Sequence, residues 1–206
     1  MFTGIVQKSL PIAAQHEKSQ LTELVFQFPE SLTDALEIGA SVAINGTCLT
    51  VTEIDDGRVS FDAMMETLAV TNLGRLAPGS VVNIERAARF GDEIGGHILS
   101  GHVHTQATLV AKETPENNCV LTFQCEPHWM KYVFAKGFIA LNGASLTVGE
   151  VDRRSNQFNV YLIPETLRVT NFGQLEINDA VNLEVDAHTQ AIVDTLERIE
   201  AEKSKS

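Results

Sequence analysis

Asn45-Gly46-Thr47-Cys48-Leu49-Thr50-Val51 decides the fold, because it returns as Asn142-Gly143-Ala144-Ser145-Leu146-Thr147-Val148, with five of seven positions identical at an offset of 97. Residues 66–76, beginning Glu66-Thr67-Leu68, recur as residues 165–175, beginning Glu165-Thr166-Leu167, with eight of eleven positions kept at an offset of 99. Val82-Asn83-Ile84-Glu85 aligns with Val181-Asn182-Leu183-Glu184, and Pro29 and Gly39 pair with Pro127 and Gly137. Thr3-Gly4-Ile5-Val6 matches Ser100-Gly101-His102-Val103 more loosely. The copies are collinear and each is a domain in length, so one domain has been duplicated and fused; short solenoid units are excluded. The boundary falls in residues 86–92, which carry turn signals.

Within each copy the period is mainly that of strands. Short runs rich in β-branched or aromatic residues cover 21–28, 41–44, 49–54, 59–64 and 81–85, and again 120–125, 139–141, 146–151, 157–162 and 180–185. Gly, Asn, Asp and Pro separate them. Many short strands at close spacing point to a small closed barrel. One helix per copy is expected from Pro29 to Gly39 and from Pro127 to Gly137, Pro opening and Gly closing it. A short helical turn is expected after each Glu-Thr-Leu. From Asp186 onward the chain reads as helix, with Thr189, Ile192, Leu196, Ile199 and Lys203 at 3-4 spacing. That pattern fits a short intersubunit coil; taken alone, it leans toward an amphipathic helix packed on its own subunit. The expected segments are 1–89, 90–186 and 187–206.

The 206 residues carry 15 Lys and Arg against 27 Asp and Glu, a net charge of −12. Nucleic acid needs basic groups that displace counterions, and no basic run exists. The charge balance equally disfavours anionic membranes and polyanionic substrates. No apolar run approaches the ~18 residues of a membrane span, and residues 1–6 lack the basic start of a secretory signal. Cys48, Cys119 and Cys125 are odd in number and unhelpfully spaced for a disulfide framework or a thiolate zinc site. A reduced, soluble, cytoplasmic protein is expected.

Dinucleotide-binding, phosphate-cradling and nucleophile-elbow motifs are missing; residues 91–96 have the wrong glycine spacing. His97, His102 and His104 lie close together, and on a strand His102 and His104 share a face. Zinc ligation is one reading. Partly exposed strand histidines are favoured over it, and a single acid–base imidazole is a third; no metal is expected. In the repeated block Cys48 and Thr50 share one face, with Leu49 and Val51 on the other; Ser145 and Thr147 likewise oppose Leu146 and Val148. A plain turn and strand is the bland reading. Against it, both copies keep a thiol or hydroxyl where a barrel core would prefer Val. Glu66 and Glu165 either cap a helix start or hold sugar or polyol hydroxyls. Two similar pockets suit a reaction that consumes two copies of one molecule.

These blocks, together with Met1-Phe2-Thr3-Gly4-Ile5-Val6 and Gly95-Gly96-His97, jointly resemble the riboflavin synthase family of the trimeric α-type over essentially the whole chain. The resemblance implies two six-stranded Greek-key barrels and a C-terminal helix that holds a homotrimer. It implies dismutation of two 6,7-dimethyl-8-ribityllumazine molecules by four-carbon transfer, giving riboflavin and 5-amino-6-ribitylamino-uracil, with no metal or organic cofactor. One lumazine per barrel is implied, at a site between the N-barrel of one subunit and the C-barrel of a neighbour. Carried over by position, the backbone of Cys48, Leu49 and Thr50 and of Ser145, Leu146 and Thr147 grips the pteridine edges. Glu66, Thr67, Glu165 and Thr166 hold ribityl hydroxyls, and Phe2 covers a ring. Gly4, Ile5 and Val6 line one pocket, and Gly101, His102 and Val103 the other. Asp62, Ala63, Met64 and Met65, their counterparts Tyr161, Leu162, Ile163 and Pro164, and Lys136 complete the substrate contacts. Cys48, His102 and Ser145 are the expected catalytic residues. Cys48, with His102 supplied from the facing barrel, marks the N-terminal pocket as the reactive end.

Two positions depart from the family pattern: Asn142 stands where Asp is usual, and His104 follows Gly-His-Val where Asp is frequent. The rival readings are a non-catalytic lumazine- or flavin-binding optical protein, a metal-dependent barrel, and a flavoprotein reductase barrel without its nucleotide domain. Retention of Leu-Thr-Val and Glu-Thr-Leu in both copies, with Cys48 and His102, favours the enzyme.

Overall fold

A computed structural model describes residues 1–116 and 118–204; the last two positions of the 187–206 segment lie outside the described residues. Twelve strands form two closed barrels. The first contains β1 (Lys8–Lys18), β2 (Leu21–Gln27), β3 (Ser41–Ile44), β4 (Thr47–Asp55), β5 (Arg58–Met64) and β6 (Val81–Arg86). The second contains β7 (Thr105–Glu113), β8 (Cys119–Gln124), β9 (Phe138–Leu141), β10 (Ala144–Asp152), β11 (Gln157–Leu162) and β12 (Ala180–Val185). The neighbour order β1-β2-β5-β4-β3-β6 is repeated strand for strand by β7 to β12, and every pair is antiparallel. The duplication read in the sequence is therefore a duplication of topology.

β1 and β7 have no counterpart among the ten runs read from periodicity. Pro11 and Ala13-Ala14 interrupt the alternation in β1, and half-buried residues alternate with buried ones along β7. Closure of the barrel, not local pattern, defines these strands. The expected Pro-to-Gly helices are also shorter than anticipated. The first is one turn, α1 (Glu30–Thr33), and the second is a 3-10 turn at Trp129–Tyr132. Only about nine residues separate Pro from Gly, too few for a stable helix without extensive packing. The Glu-Thr-Leu blocks lie inside α2 (Met65–Val70) and α3 (Pro164–Val169), and the short helical turn expected after each is present as a 3-10 turn at Asn72–Arg75 and at Asn171–Gln174.

Both Asn-Gly pairs are two-residue hairpin loops, β3 to β4 and β9 to β10. Asn45 and Gly46 have φ of 46° and 78°, and Asn142 and Gly143 have 43° and 78°, the doubly left-handed turn that Asn-Gly favours. The two loops abut: a Cβ on Gly46 would lie 2.6 Å from the Gly143 nitrogen. Around them Asn45, Asn72, Asn83, Asn142, Asn171 and Asn182 are buried in a pseudo-symmetric network. The Asn45 Oδ1 accepts from the Asn83 N–H at 2.8 Å, as the Asn142 Oδ1 does from the Asn182 N–H. Asn83 Nδ2 donates to the Asn142 carbonyl, and Asn182 Nδ2 to that of Asn45. Asn142, the departure noted above, thus makes the contacts its partner copy makes and welds barrel to barrel.

The leading segments of the two copies cross over. Gly101 O accepts from the Cys48 N–H of the first barrel, and Gly4 O from the Ser145 N–H of the second, both at 2.8 Å. Val6 is buried in the core of the second barrel. Phe2 is 1% exposed, packed with Ala43, Leu99 and Ala140 between the barrels. That placement corrects the expectation that Phe2 covers a bound ring: burying an aromatic side chain is worth about 1.5–3 kcal/mol, and this one is spent on the junction.

The C-terminal helix, α4 (Ala187–Lys203), starts at Asp186, whose side chain accepts from the Thr189 N–H. One face docks on the second barrel through Val193, the Tyr132–Asp194 hydrogen bond and the Lys131–Glu197 ion pair. The other face leaves Ile192, Leu196 and Ile199 exposed, at 62%, 56% and 40%. No helix among the described residues is long and apolar enough to cross a membrane.

Candidate active site

β4 and β5 pair from Asp55↔Arg58 only as far as Val51↔Phe61. Beyond that point β5 stays with β2 through Asp62, Ala63 and Met64, while β4 stays with β3 through Thr50, Leu49 and Cys48. The barrel wall opens there into a wedge. β10 and β11 repeat the opening after Val148↔Val160, with Ser145 and Thr147 on one side and Tyr161 on the other.

The first wedge gathers most of the residues expected in one pocket. Cys48 is half-buried and Thr50 exposed on the outer face of β4, and Asp62 and Met64 stand on β5. Met65, Glu66 and Thr67 open α2 below them. The crossing segment, fixed by the Cys48–Gly101 hydrogen bond, brings His102 and Val103 to the same place. The second wedge gathers Ser145, Thr147, Tyr161, Ile163, Pro164, Glu165 and Thr166 with Gly4 and Ile5. Leu49, Leu146, Ala63 and Leu162 are buried in the cores, so only their backbone faces a wedge. Lys136 stands on the far, β9 side of β10, its N–H donating to Val148 O as that of Gly39 does to Val51 O.

Several expectations change. Cys48 and Ser145 do not replace core residues; the core face of each strand belongs to Leu49 and Val51, or Leu146 and Val148. Their polarity therefore serves an outer surface. The amides of Cys48 and Ser145 are occupied by the crossing glycines, so grip on a ring edge falls to the remaining backbone groups and to side chains. Residues 102–104 are not strand, because the chain is still crossing between barrels there. His104 bonds Gln190 of α4 at 3.1 Å and packs on Trp129, away from His102. No group of three His, Cys, Asp or Glu fit to hold a metal occurs among the described residues.

His97, set aside above as one of three neighbouring histidines, lies instead in the second wedge. Its Nδ1 is 2.6 Å from Ser145 Oγ, its ring stacks on Phe138 at 5.0 Å, and its Nε2 is buried with no partner among the described residues. Burial holds the imidazole below its ordinary 6.5, with Asp186 opposing, so the ring is neutral near neutrality. Among the described residues the Cys48 thiol has no partner equivalent to His97. The two carboxylates also differ. Arg168 binds Glu165 through two hydrogen bonds, 2.7 and 2.6 Å, and lowers its pKa; the position matching Arg168 near Glu66 is Ala69. Both wedges are open faces of the isolated chain. A cleft of about 680 Å³ beneath α2 touches only Met65 among these residues.

A family model described as lumazine binding domain matches residues 3–87 and again 100–186. Riboflavin synthase of Escherichia coli strain K12 is 50% identical over 100% of this chain and 96% of its own length. That settles the family. The chain belongs to the riboflavin synthase family. Other riboflavin synthases, from Buchnera aphidicola subsp. Schizaphis graminum and Chlamydia muridarum, are 43% and 38% identical, covering 97% and 98% of this chain and 95% and 98% of theirs. Among solved structures, LumP complexed with riboflavin superposes with a TM-score of 0.83 at 26% identity, covering 90% of this chain and all of that one. The family model spans both barrels, and of the wedge residues named above only His97 falls outside the matched segments.

Proposed function

We propose that the enzyme dismutates two molecules of 6,7-dimethyl-8-ribityllumazine, moving a four-carbon unit from one to the other and releasing riboflavin and 5-amino-6-ribitylamino-uracil. The single observation that carries this reading is a pair of wedges, alike in backbone and unlike in chemistry, within one chain of this family. A reaction between two copies of one compound needs two places that accept the same ring system but treat it differently. The wedges open outward, so a closed site forms when the first wedge of one subunit faces the second wedge of a neighbour. The exposed Ile192, Leu196 and Ile199 stripe supports a homotrimer that creates that pairing.

Holding two rings face to face converts a bimolecular step into a local one, worth up to about 7–11 kcal/mol of barrier. The C7 methyl of an electron-poor lumazine is already acidic, so only modest proton transfer remains. In the second wedge neutral His97 orients Ser145 Oγ and gives its proton a place to go. In the first, Cys48 and His102 face the partner ring without such support. The exposed carboxylates Glu66 and Glu165 suit ribityl hydroxyls.

The test is incubation of metal-free protein with 6,7-dimethyl-8-ribityllumazine alone, followed by riboflavin absorbance. One riboflavin for every two lumazines is expected. Tight binding without conversion defeats the dismutase reading and leaves a non-catalytic binding protein.

A further inference from the structure

Two buried carboxylates, Glu85 on β6 and Glu184 on β12, sit behind the crossing segments at 5% and 6% exposure. Glu184 Oε1 accepts from the Ser100 N–H and from Ser100 Oγ, each at 2.8 Å, and Oε2 accepts from the Gly101 N–H at 3.2 Å. Ser100 Oγ in turn accepts from the His102 N–H at 3.0 Å. Glu85 repeats the pattern. Its Oε1 accepts from the Thr3 N–H at 2.6 Å and from Thr3 Oγ1 at 2.8 Å, and its Oε2 from the Gly4 N–H at 3.1 Å. Thr3 Oγ1 accepts from the Ile5 N–H at 3.3 Å. Neither carboxylate makes an ion pair among the described residues. Three donors converge on each carboxylate; at Glu85 burial pushes the carboxyl up and these donors oppose that rise only in part.

The wiring is crossed. Glu184 belongs to the second barrel, but the segment it grips completes the first wedge beside Cys48. Glu85 belongs to the first barrel, and its segment completes the second wedge beside Ser145. We propose that Glu184 is a positioning residue for His102 in the first wedge, and Glu85 one for Ile5 in the second, so that the last strand of each barrel sets the half-site of the other. The proposal rests on reading the wedges as substrate half-sites, but its test does not depend on turnover.

Cys48 reports on the first wedge. It is half-buried, while Cys119 and Cys125 are buried, and Gly101 packs so closely over it that a Cβ there would lie 2.6 Å from Cys48 Cβ. Alkylation by iodoacetamide under native conditions, resolved by peptide mass spectrometry, reads each thiol separately. Glu184→Gln keeps the volume but turns an amide N–H₂ toward donors that need an acceptor. Cys48 alkylation should rise at least about fivefold, the change that loss of a single net hydrogen bond produces, with Cys119 and Cys125 still protected. Glu85→Gln, with a lesion of the same chemistry, should leave Cys48 at the wild-type rate. Equal Cys48 rates in the two variants, no rise in Glu184→Gln, or simultaneous exposure of Cys119 and Cys125 would each overturn the proposal. Should either Gln variant fail to fold, Ser100→Ala and Thr3→Ala decide the matter, the first raising Cys48 alkylation and the second leaving it unchanged. A wild-type protein that binds lumazine without turning it over would defeat the dismutase reading and leave the crossed thiol pattern standing.

Discussion

In the first wedge the lining strand presents Cys48, the crossing segment presents His102, Asp62 pairs with Lys18 at 3.3 Å, and Glu66 meets no arginine among the described residues. In the second wedge the same backbone positions carry Ser145, Ile5, Tyr161 and a Glu165 clamped by Arg168, and a buried histidine from the linker backs the serine. Everything that makes the wedge is held in common: the hairpin at Asn-Gly, the point at which pairing stops, the glycine bonded across it and the carboxylate behind that glycine. Duplication preserved the groups that set geometry and released the few that face outward. A site for two copies of one molecule needs both results at once.

The shared scaffold breaks most severely at the crossing glycines. Gly101 has φ +80°, and a Cβ there would meet Cys48 Cβ at 2.6 Å and the Phe2 ring at 2.8 Å; Gly4 has φ +74° and would meet Ser145 Cβ at 2.5 Å. Either Gly→Ala change adds left-handed strain to a clash with backbone-anchored atoms, and should cost about 2–4 kcal/mol and most of the activity. Gly39 is the control. Its φ is +91° with nothing within 4 Å of a Cβ, and its counterpart Lys136 already adopts φ 66°. Gly39→Ala should cost only about 1 kcal/mol. Thermal melts that rank the three alike would show that conformation, not contact, governs the crossing.

Chemistry comes next. Cys48→Ala removes a thiol that no hydrogen bond ties to the fold among the described residues, so it should lower kcat by about a hundredfold while ligand affinity and melting temperature hardly move. Ser145→Ala removes the partner of a buried imidazole, so it should lower kcat and also destabilise by about 1–3 kcal/mol. Single-turnover rates set beside fluorescence titrations separate the two patterns. Equal stability losses would mean that the His97–Ser145 bond does not distinguish the wedges.

Much of this was legible in sequence. The duplication, the Asn-Gly turns, ten of the twelve strands and the polar face of Cys48-Thr50 and Ser145-Thr147 follow from identity and alternation, which are local signals. β1 and β7 are set by barrel closure. The outward direction of Cys48 was misjudged because alternation gives two faces without saying which is core. Glu85 and Glu184 were visible as an aligned pair in the Val-Asn-[Ile/Leu]-Glu block, yet read only as strand ends, because their partners at Thr3 and Ser100 lie about 80 residues away in sequence. His97 was visible too, but sequence offers no sign that its neighbour is Ser145 and not His102.

His97 also gives the second wedge a pH dependence. Its pKa in the fold lies below the ordinary 6.5 because burial penalises the charged ring. A base with a depressed folded pKa contributes stability that is complete above the unfolded value and lost as pH falls through the folded one, since the unfolded chain takes up the proton first. His97→Gln removes that contribution. Wild-type melting temperature should therefore fall more than the variant's between about pH 7.5 and about pH 5.5, and the variant's kcat should drop about tenfold at neutral pH. Parallel melting curves would mean that the imidazole does not titrate with folding.

The smallest difference is the Glu165–Arg168 pair. Both side chains are well exposed, at 60% and 70%, so water screens their attraction and the pair adds little to stability. Its consequence is directional: Arg168 fixes the carboxylate at two oxygens, whereas Glu66, opposite Ala69, is not held in that way. Arg168→Ala should leave the melting temperature unchanged and make the second wedge resemble the first, shifting affinity for a ribityl-bearing ligand by no more than about threefold, the scale of one exposed charge-assisted contact. Ala69→Arg is the reciprocal change. If the pair distinguishes how the two wedges hold a polyol chain, the two substitutions move ligand affinity in opposite directions; if both leave it alone, the carboxylates act independently of their neighbours and the asymmetry lies entirely in Cys48, His102, Ser145 and His97.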